Sequence, residues 1–265
     1  MDAGLRGKRC LITGGNSGIG FGIAKALANE GVELAVAGNR EAPEAMAELA
    51  RLSRKAVFRM TDVSKESDAE AMVAWAIEAL GELDLYVNNA GRVQPESITQ
   101  LTSDAYYKTL DTNLTACVWA CREVARHMIP RCAGSILFTN STVRTAYSYR
   151  EASYRISKVG LKAYMESLAV ELAPFNIRVN QITPGHFHTQ FTAAVPLRVE
   201  NIMKSQIPLR RIAEPEEIGP AAVFLLSDRL SPYMTGADLV VDGGLSIRPL
   251  PIYTDDEIEK MNREE

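Results

Sequence analysis

Short β-rich apolar segments alternate with helical segments along almost the whole chain. The β-rich segments lie at residues 8–13, 32–38, 55–60, 83–91, 134–141, 177–183 and 238–244. Apolar residues at helical spacing occupy the intervals, at residues 19–31, 42–54, 64–81, 103–129, 151–173 and 214–227. Strand–helix–strand units pair their strands in parallel, and the helices then cover both faces of the sheet. The alternation therefore predicts a doubly wound α/β fold.

The 265 residues contain no linker and no second type of composition, so we expect one domain over residues 1–265. The alternation fills residues 7–244, which we interpret as the core. Residues 185–213 interrupt it with a loop and a short helix, and we expect this segment to border the substrate. Residues 245–265 form a tail whose first half is Pro-rich and whose second half is charged.

Composition and charge exclude several classes of function. The formal net charge is −4 and no long basic run occurs, which argues against nucleic acid or an anionic membrane as the main partner. No window has the ~18 consecutive apolar residues of a membrane span. The first residues lack an apolar signal segment, so we expect a cytoplasmic protein. The four cysteines form no C-x-x-C pair, and we interpret them as reduced structural thiols without a metal site.

The glycine-rich turn LITGGNSGIGFG (residues 11–22) joins the first predicted strand to the first predicted helix. Glycines let the backbone turn tightly and approach a pyrophosphate, whose charge is stabilised by free N–H groups and by the helix dipole. The position of the turn, after the first strand and at the start of a helix, is typical of dinucleotide binding. The spacing is Thr13-Gly14-x-x-x-Gly18-x-Gly20, which differs from the common G-x-G-x-x-G.

Tyr154 and Lys158 have the spacing that places two side chains on one face of a helix. Tyr147 and Tyr149, in the same segment, have no lysine or arginine four positions later. A phenol has a pKa of about 10, and a neighbouring ammonium lowers it. We therefore expect Tyr154, with a lowered pKa, to exchange a proton with the substrate.

The T-G-x-x-x-G-x-G turn and the Y-x-x-x-K pair resemble the motifs of the short-chain dehydrogenase/reductase family, and further matches extend from about residue 7 to residue 244. The resemblance implies a single-domain Rossmann-type fold and an NAD(P)-dependent oxidoreductase. It also implies four catalytic residues: Asn113, Ser141, Tyr154 and Lys158. In that family the serine, here Ser141 at the end of the fifth strand, holds the substrate oxygen. The asparagine, here Asn113, holds a water between Lys158 and solvent.

The same resemblance implies a set of cofactor contacts. They come from the glycine-rich turn, from the ends of strands two, three and four, from the catalytic helix and from the P-G-x-x-x-T segment after strand six. The set is Gly14, Asn16, Ser17, Gly18, Ile19, Gly20, Asn39, Arg40, Asp62, Val63, Asn89, Ala90, Gly91, Tyr154, Lys158, Pro184, Gly185, Phe187 and Thr189. Asp62 and Val63 would contact the adenine, and residues 184–189 would hold the nicotinamide carboxamide.

The tip of the second strand bears on the choice of cofactor. An acidic residue there binds the ribose 2′-OH and repels a 2′-phosphate. This chain has Gly38 at that point, no acid before Glu41, and Arg40 in between. Arg40 can pair with a 2′-phosphate, so NADP is the preferred cofactor and NAD is the alternative.

Polar residues dominate the segments that should surround the substrate. The candidate contacts are Ser141, Val143, Arg144, Tyr147, Tyr154 and His186. This polarity favours a sugar, a polyol or a small polar ketone over a steroid or a long acyl chain. The alternatives are a 3-oxoacyl-type carbonyl reductase, a carbon–carbon double-bond reductase, and a nucleotide-sensing protein without catalysis.

Two helices carry apolar residues on more than one face, which predicts a partner beyond the sheet. On the helix at residues 151–173 the second stripe would be Met165, Ala169 and Ala173; the middle of the helix at 103–129 carries Cys117, Val118, Cys121 and Val124. Members of the resembled family pair these helices across a two-fold axis. We therefore expect a homotetramer, with a dimer as the alternative and with the tail at residues 245–265 reaching a neighbouring subunit.

Overall fold

Seven parallel strands form one sheet in the computed structural model, which describes residues 2–145, 149–189 and 196–247. They are β1 Arg9–Thr13, β2 Glu33–Gly38, β3 Ala56–Met60, β4 Leu85–Asn88, β5 Gly134–Thr139, β6 Ile177–Pro184 and β7 Asp238–Val241. The order across the sheet is β3-β2-β1-β4-β5-β6-β7. The predicted doubly wound α/β fold of Rossmann type is confirmed.

Helices connect these strands and cover both faces of the sheet. They are α1 Gly18–Asn29, α2 Pro43–Leu52, α3 Glu66–Leu80, α4 Ser103–Leu110, α5 Ala116–Met128, α6 Ala152–Leu172, α7 Leu197–Gln206 and α8 Gly219–Leu226. Short 3₁₀ turns lie at Ile129–Arg131, Thr142–Arg144, Ala173–Phe175, Pro215–Ile218 and Leu245–Ile247. Among the described helices, none has the length and apolar character needed to span a bilayer.

The two faces of the sheet support two separate hydrophobic cores. In β1, Leu11 packs into the core with α3, α5 and α6, while its neighbour Ile12 packs into the core with α1 and α8. This opposition follows from the period of two in a strand, which sends successive side chains to opposite faces. Strands buried on both sides read as continuous apolar runs, and the sequence LAVA in β2 is an example.

The topology places a crevice at the carboxyl edge of the sheet between β1 and β4. From β1 the chain moves outward through β2 and β3, and then returns to β4 on the other side of β1. The helices that follow β1 and β4 therefore lie on opposite faces of the sheet. Ligands of doubly wound proteins bind at such a reversal of strand order.

The helix expected over residues 103–129 forms without a break, but it is not α-helical throughout. A π-helical turn at Asp111–Thr115 separates α4 from α5. Both ends of the Asn113 side chain bond the main chain of Arg92: Oδ1 accepts from its N–H at 2.8 Å, and Nδ2 donates to its carbonyl at 2.9 Å. A π turn widens a helix locally and often marks a functional site. Here it surrounds the predicted catalytic asparagine.

The apolar stripes expected to face a partner are largely buried within the chain. On α6, Met165 and Ala169 belong to the core, as do Cys117, Cys121 and Val124 on α5. Five of the seven residues proposed for the second faces are therefore covered within the chain, while Val118 is half-buried and Ala173 is exposed. The exposed apolar residues of α6 are instead Ile156, Val159 and Val170.

Candidate active site

The glycine-rich turn after β1 leaves the start of α1 open to an anion. Gly14 and Gly18 adopt positive φ values of 65° and 51°, which glycine reaches without steric cost. A Cβ on Gly20 would lie 2.2 Å from the carbonyl oxygen of Gly14, so only glycine allows this close approach. Ser17 precedes α1 without a side-chain capping bond. The first amides of α1 are thus left without a side-chain acceptor from this position.

Hydrogen bonds fasten the turn after β1 to the end of β4. The hydroxyl oxygen of Thr13 accepts from the main-chain N–H groups of Asn89 and Ala90, both at 3.0 Å. The side-chain amide of Asn89 donates to the carbonyls of Thr13 and Gly14 at 3.0 and 3.3 Å. The bonds bring Asn89, Ala90 and Gly91 beside the glycine-rich turn, where cofactor contacts were predicted.

The loop after β6 lies across the crevice from α1. A Cβ built on Gly18 would lie 3.2 Å from the methyl carbon of Thr189. Phe187, in the same loop, is buried, and its backbone pairs with that of Ala213 in an isolated parallel β-bridge. Pro184 ends β6, and a Cβ on the following Gly185 would lie 2.8 Å from the Cα of Asp242. A dinucleotide fits this arrangement, because open amides at a helix start meet an anion while glycines keep the crevice clear.

Arg40 lies beside the start of α1. Its guanidinium donates to the Ser17 hydroxyl at 3.0 Å, and its carbonyl accepts from the side chain of Asn16 at 2.8 Å. Asn16 also lies against Gly38, where a Cβ would approach its side-chain oxygen to 2.9 Å. The tip of β2 therefore presents an exposed guanidinium, with the predicted neighbour Asn39 adjacent in the chain.

Asp62 lies directly after β3, next to Val63. Its Oδ1 accepts from the hydroxyl and the main-chain N–H of Ser64 at 2.7 and 3.2 Å. The hydrogen bonds from Ser64 hold the pKa of Asp62 below its ordinary value. The carboxylate is therefore charged and oriented at the end of β3, as an acceptor for an adenine amino group requires.

Ser141, Tyr154 and Lys158 come together at the carboxyl end of β5. Tyr154 lies in the first turn of α6 and Lys158 one turn later, while Ser141 precedes the 3₁₀ turn Thr142–Arg144. Ser141 is the hydrogen-bonding neighbour that lowers the pKa of the Tyr154 phenol. Strand β5 ends at Thr139, so the expectation that Ser141 ends the strand is wrong by two residues. Its Oγ instead accepts from the N–H of Val143 at 3.2 Å, which caps the turn.

Lys158 is buried between helix and sheet, with 4% of its surface exposed. Its Nζ donates to the carbonyl of Thr139 at 2.8 Å and lies 5.8 Å from the ring centre of Tyr154. Burial, more than any other cause, lowers the pKa of Lys158 to about 8. The positive charge of Arg144 acts in the same direction.

The pKa of Tyr154 departs from the expected direction. Burial raises it to about 12, although the hydrogen bond with Ser141 lowers it in part and Glu151 raises it further. The expectation of a lowered value was therefore wrong for the protein alone. The Lys158 ammonium is directed to the carbonyl of Thr139, and the loss of water around the phenol outweighs its effect.

Asn113 connects to the catalytic helix through a residue that the sequence analysis missed. Its Nδ2 donates to the hydroxyl of Ser157 at 3.1 Å, and that hydroxyl donates to the carbonyl of Tyr154 at 2.6 Å. Ser157 is completely buried. Its position three residues after Tyr154 is the only sequence signal that could have indicated it.

The predicted substrate residues have different environments. Val143 is buried, and Tyr147 lies outside the described residues. Arg144 turns toward the sheet, where it pairs with Asp238 at 2.5 Å. His186 is half-buried, and burial lowers its pKa. The side chains of Val143, Arg144 and His186 make no described hydrogen bond to the side chain of Ser141 or Tyr154, and the substrate contacts of all four residues stay a prediction.

A cavity of about 300 Å³ adjoins the first turn of α6. Its lining includes two arginines and two glutamates: Arg150, Arg155, Glu96 and Glu151. One oxygen of Glu96, Oε2, is buried without a hydrogen-bond partner.

The described residues contain no group of three or more His, Cys, Asp or Glu side chains that could hold a metal.

Comparisons with known proteins agree with this geometry. A family model described as "Enoyl-(Acyl carrier protein) reductase" matches residues 14–246. A 3-oxoacyl-[acyl-carrier-protein] reductase from Chlamydia pneumoniae is 36% identical over 248 residues, which cover 93% of this chain and 100% of that protein.

Two solved structures are similar in fold and sequence. A short-chain type dehydrogenase/reductase from Mycobacterium marinum has a TM-score of 0.86 and 33% identity, covering 92% of this chain and 97% of that chain. An NADPH-dependent 3-quinuclidinone reductase from Rhodotorula rubra has a TM-score of 0.85 and 32% identity, covering 93% and 94%. The likeness extends over nearly the full length of every protein compared.

Proposed function

Because this chain belongs to the short-chain dehydrogenase/reductase family, we propose that it transfers a hydride between NADP(H) and a small polar secondary alcohol or ketone. The grouping of Tyr154, Ser141 and Lys158 carries the proposal: Ser141 influences the phenol of Tyr154, and the Lys158 ammonium lies one helical turn away at 5.8 Å from its ring centre. A phenol, a hydroxyl and an ammonium at this spacing can bind a carbonyl oxygen and exchange a proton with it.

Each residue has a distinct role in the proposed reaction. Ser141 holds the substrate oxygen next to the phenol of Tyr154. Tyr154 gives its proton to that oxygen when a ketone is reduced, and takes a proton when an alcohol is oxidised. Lys158 opposes the negative charge that develops on the phenol, and its bond to the Thr139 carbonyl keeps its position fixed. A bound nicotinamide cofactor supplies the hydride donor or acceptor.

Asn113 supports the site from the neighbouring helices. Its side chain is occupied by Arg92 and Ser157, so it ties the π turn to the helix that carries Tyr154. The proposed role in holding a water between Lys158 and solvent adds to this anchoring.

Arg40 is the reason to prefer NADP over NAD. Strand β2 ends with Gly38, where an acidic residue would disfavour NADP. The Arg40 guanidinium lies next to the Ser17 hydroxyl at the start of α1. A guanidinium pairs well with a phosphate through charge-assisted hydrogen bonds. The similar quinuclidinone reductase is NADPH-dependent by its description, which supports the same choice.

The charged cavity next to α6 supports a polar substrate. Its four charged side chains favour hydroxyl or charged groups over an apolar chain. A second candidate is reduction of a 3-oxoacyl thioester, which the likeness to the Chlamydia reductase favours. Both candidates use the same Tyr154, Ser141 and Lys158 chemistry.

The test is a substrate panel with purified protein and either NADPH or NADH. We expect oxidation of NADPH with small polar ketones, and a loss of about 10²–10⁴-fold in kcat for Tyr154→Phe with cofactor binding retained. Turnover restricted to 3-oxoacyl thioesters would select the second candidate. Cofactor binding without turnover of any carbonyl would indicate a nucleotide-sensing protein and contradict the proposed activity.

Assembly as a homotetramer in the cytoplasm completes the proposal. The exposed apolar residues Ile156, Val159 and Val170 on α6 provide a surface that a second copy could cover. This surface replaces the buried stripe expected from the sequence. Most of the tail at residues 245–265 lies outside the described residues, and its contact with a neighbouring subunit stays a prediction.

A further inference from the structure

Arg144 carries an ion pair within the site that the proposed reaction does not use. Its side chain is 10% exposed and its Nη2 donates to Oδ2 of Asp238 at 2.5 Å and to the hydroxyl of Thr183 at 2.9 Å. Thr183 in turn donates to the other carboxylate oxygen of Asp238 at 2.5 Å. Residues from the turn after β5, from β6 and from β7 therefore meet in one closed cluster.

The turn that carries Arg144 also sets the position of Ser141. The N–H of Val143 donates to the Ser141 Oγ, and the N–H of Arg144 donates to the Ser141 carbonyl at 3.4 Å. The carbonyl of Arg144 accepts from the guanidinium of Arg155, the residue after Tyr154, at 3.3 Å. The turn is thus held to the sheet by the Arg144 side chain and to α6 by its carbonyl.

A purely structural role explains this cluster poorly. Burying an ion pair removes both charges from water, and its net contribution to stability is often near zero. The Nε of Arg144 is also buried without a hydrogen-bond partner among the described residues, which adds a further cost. An arrangement with such costs, next to the predicted catalytic serine, indicates a functional constraint.

We propose that the Arg144–Asp238 pair is a positioning device that fixes the turn Thr142–Arg144 and thereby holds the Ser141 hydroxyl at the phenol of Tyr154. In this role Arg144 acts through Val143 and Ser141, separately from the substrate contact predicted for it from the sequence. The inference rests on the proposed hydride transfer, in which Ser141 orients the substrate oxygen.

Asp238→Asn tests the proposal with almost no change in shape, and Arg144→Met removes the charge but keeps an extended side chain. A misplacement of about 1 Å in a catalytic group can reduce a rate by about 100-fold. We expect kcat to fall about 10- to 100-fold in both variants, while the cofactor dissociation constant stays within about twofold. The double variant should be no worse than the poorer single variant, because both changes break one unit. Arg144→Lys, which keeps the charge, should recover part of the rate.

Asp228→Asn is the matched control. Asp228 pairs with the buried Arg178 at 2.9 Å. Arg178 lies at the start of β6, whereas Thr183 lies near its end. We expect the kcat of Asp228→Asn to match that of the unaltered protein. If Asp238→Asn and Asp228→Asn reduce kcat equally, the effect is general loosening of the sheet and the proposal fails.

Hydrogen exchange gives a readout that does not depend on turnover. The N–H of Val143 should exchange faster in Asp238→Asn and Arg144→Met than in the unaltered protein, since the turn is released. Unchanged exchange would overturn the positioning role even if the substrate is unknown. Absence of turnover in the unaltered protein, with faster exchange in the variants, would instead reject the proposed function and keep the mechanical link.

Discussion

The pH dependence of stability should report the burial of Lys158 directly. Its ordinary pKa of 10.5 is lowered to about 8 in the folded protein. At about 1.4 kcal/mol per pKa unit, the folded state disfavours the ammonium by about 3 kcal/mol. The cost is present in full below the folded pKa and disappears above the unfolded value.

The sign follows from counting protons. Between about pH 8 and pH 10.5 the unfolded chain keeps the Lys158 proton while the folded chain has released it. The contribution of Lys158 to stability therefore rises with pH in this window. Between about pH 7 and about pH 9.5 the gain should be about 2 kcal/mol. Tyr154 acts in the opposite direction only above pH 10, because its folded pKa is raised to about 12.

The assay is urea unfolding at a series of pH values for the unaltered protein and for Lys158→Met. Other groups titrate as well, so the quantity of interest is the difference between the two curves. Lys162→Met is the control: Lys162 lies one turn later on α6, where it pairs with Glu166 and is 32% exposed. We expect it to leave the slope unchanged. If the free energy of unfolding changes with pH in the same way in the unaltered protein and in Lys158→Met, the lowered pKa of Lys158 is refuted.

Three further outcomes are expected. Arg40→Ala should weaken the binding of NADPH about tenfold or more and that of NADH much less, because one charge-assisted hydrogen bond contributes about 1.5–3 kcal/mol. Equal losses of affinity for both cofactors in fluorescence titrations would show that Arg40 does not bind the 2′-phosphate. Val159→Arg should lower the mass seen by light scattering if α6 is a subunit contact, and a mass of 29.0 kDa for the unaltered protein would reject assembly. Gly22→Ala should lower the free energy of unfolding in urea by about 1–3 kcal/mol, since the new Cβ would lie 2.0 Å from the Pro215 carbonyl oxygen. Gly160→Ala is the control: its Cβ would meet the Leu114 side chain, the nearest carbon at 2.9 Å, and the free energy of unfolding should hardly change.

The alternation of strands and helices could be read from the sequence because each signal is local. Periods of two and of about 3.6 residues need only a few neighbouring positions. The pairing of Tyr154 with Lys158 was equally local, since four residues of helix bring two side chains onto one face.

Features that depend on distant contacts could not be predicted. The partner of Arg144 is Asp238, 94 residues later in the sequence, and no local pattern around Arg144 indicates it. The pKa of Tyr154 depends on the loss of water around it, which no spacing reveals. Ala169 looked available to a partner subunit, but the fold of the single chain buries it, leaving 3% of its surface exposed.

The long separation between Arg144 and Asp238 also bears on how the protein is made. A chain leaving the ribosome presents Ser141, Tyr154 and Lys158 well before β7, the last strand described, has been synthesised. Until then the guanidinium of Arg144 lacks its carboxylate, and the turn that holds Ser141 lacks its tie to β7. A nascent chain can therefore carry every predicted catalytic residue and still lack a finished active site, which closes only when Asp238 joins the sheet.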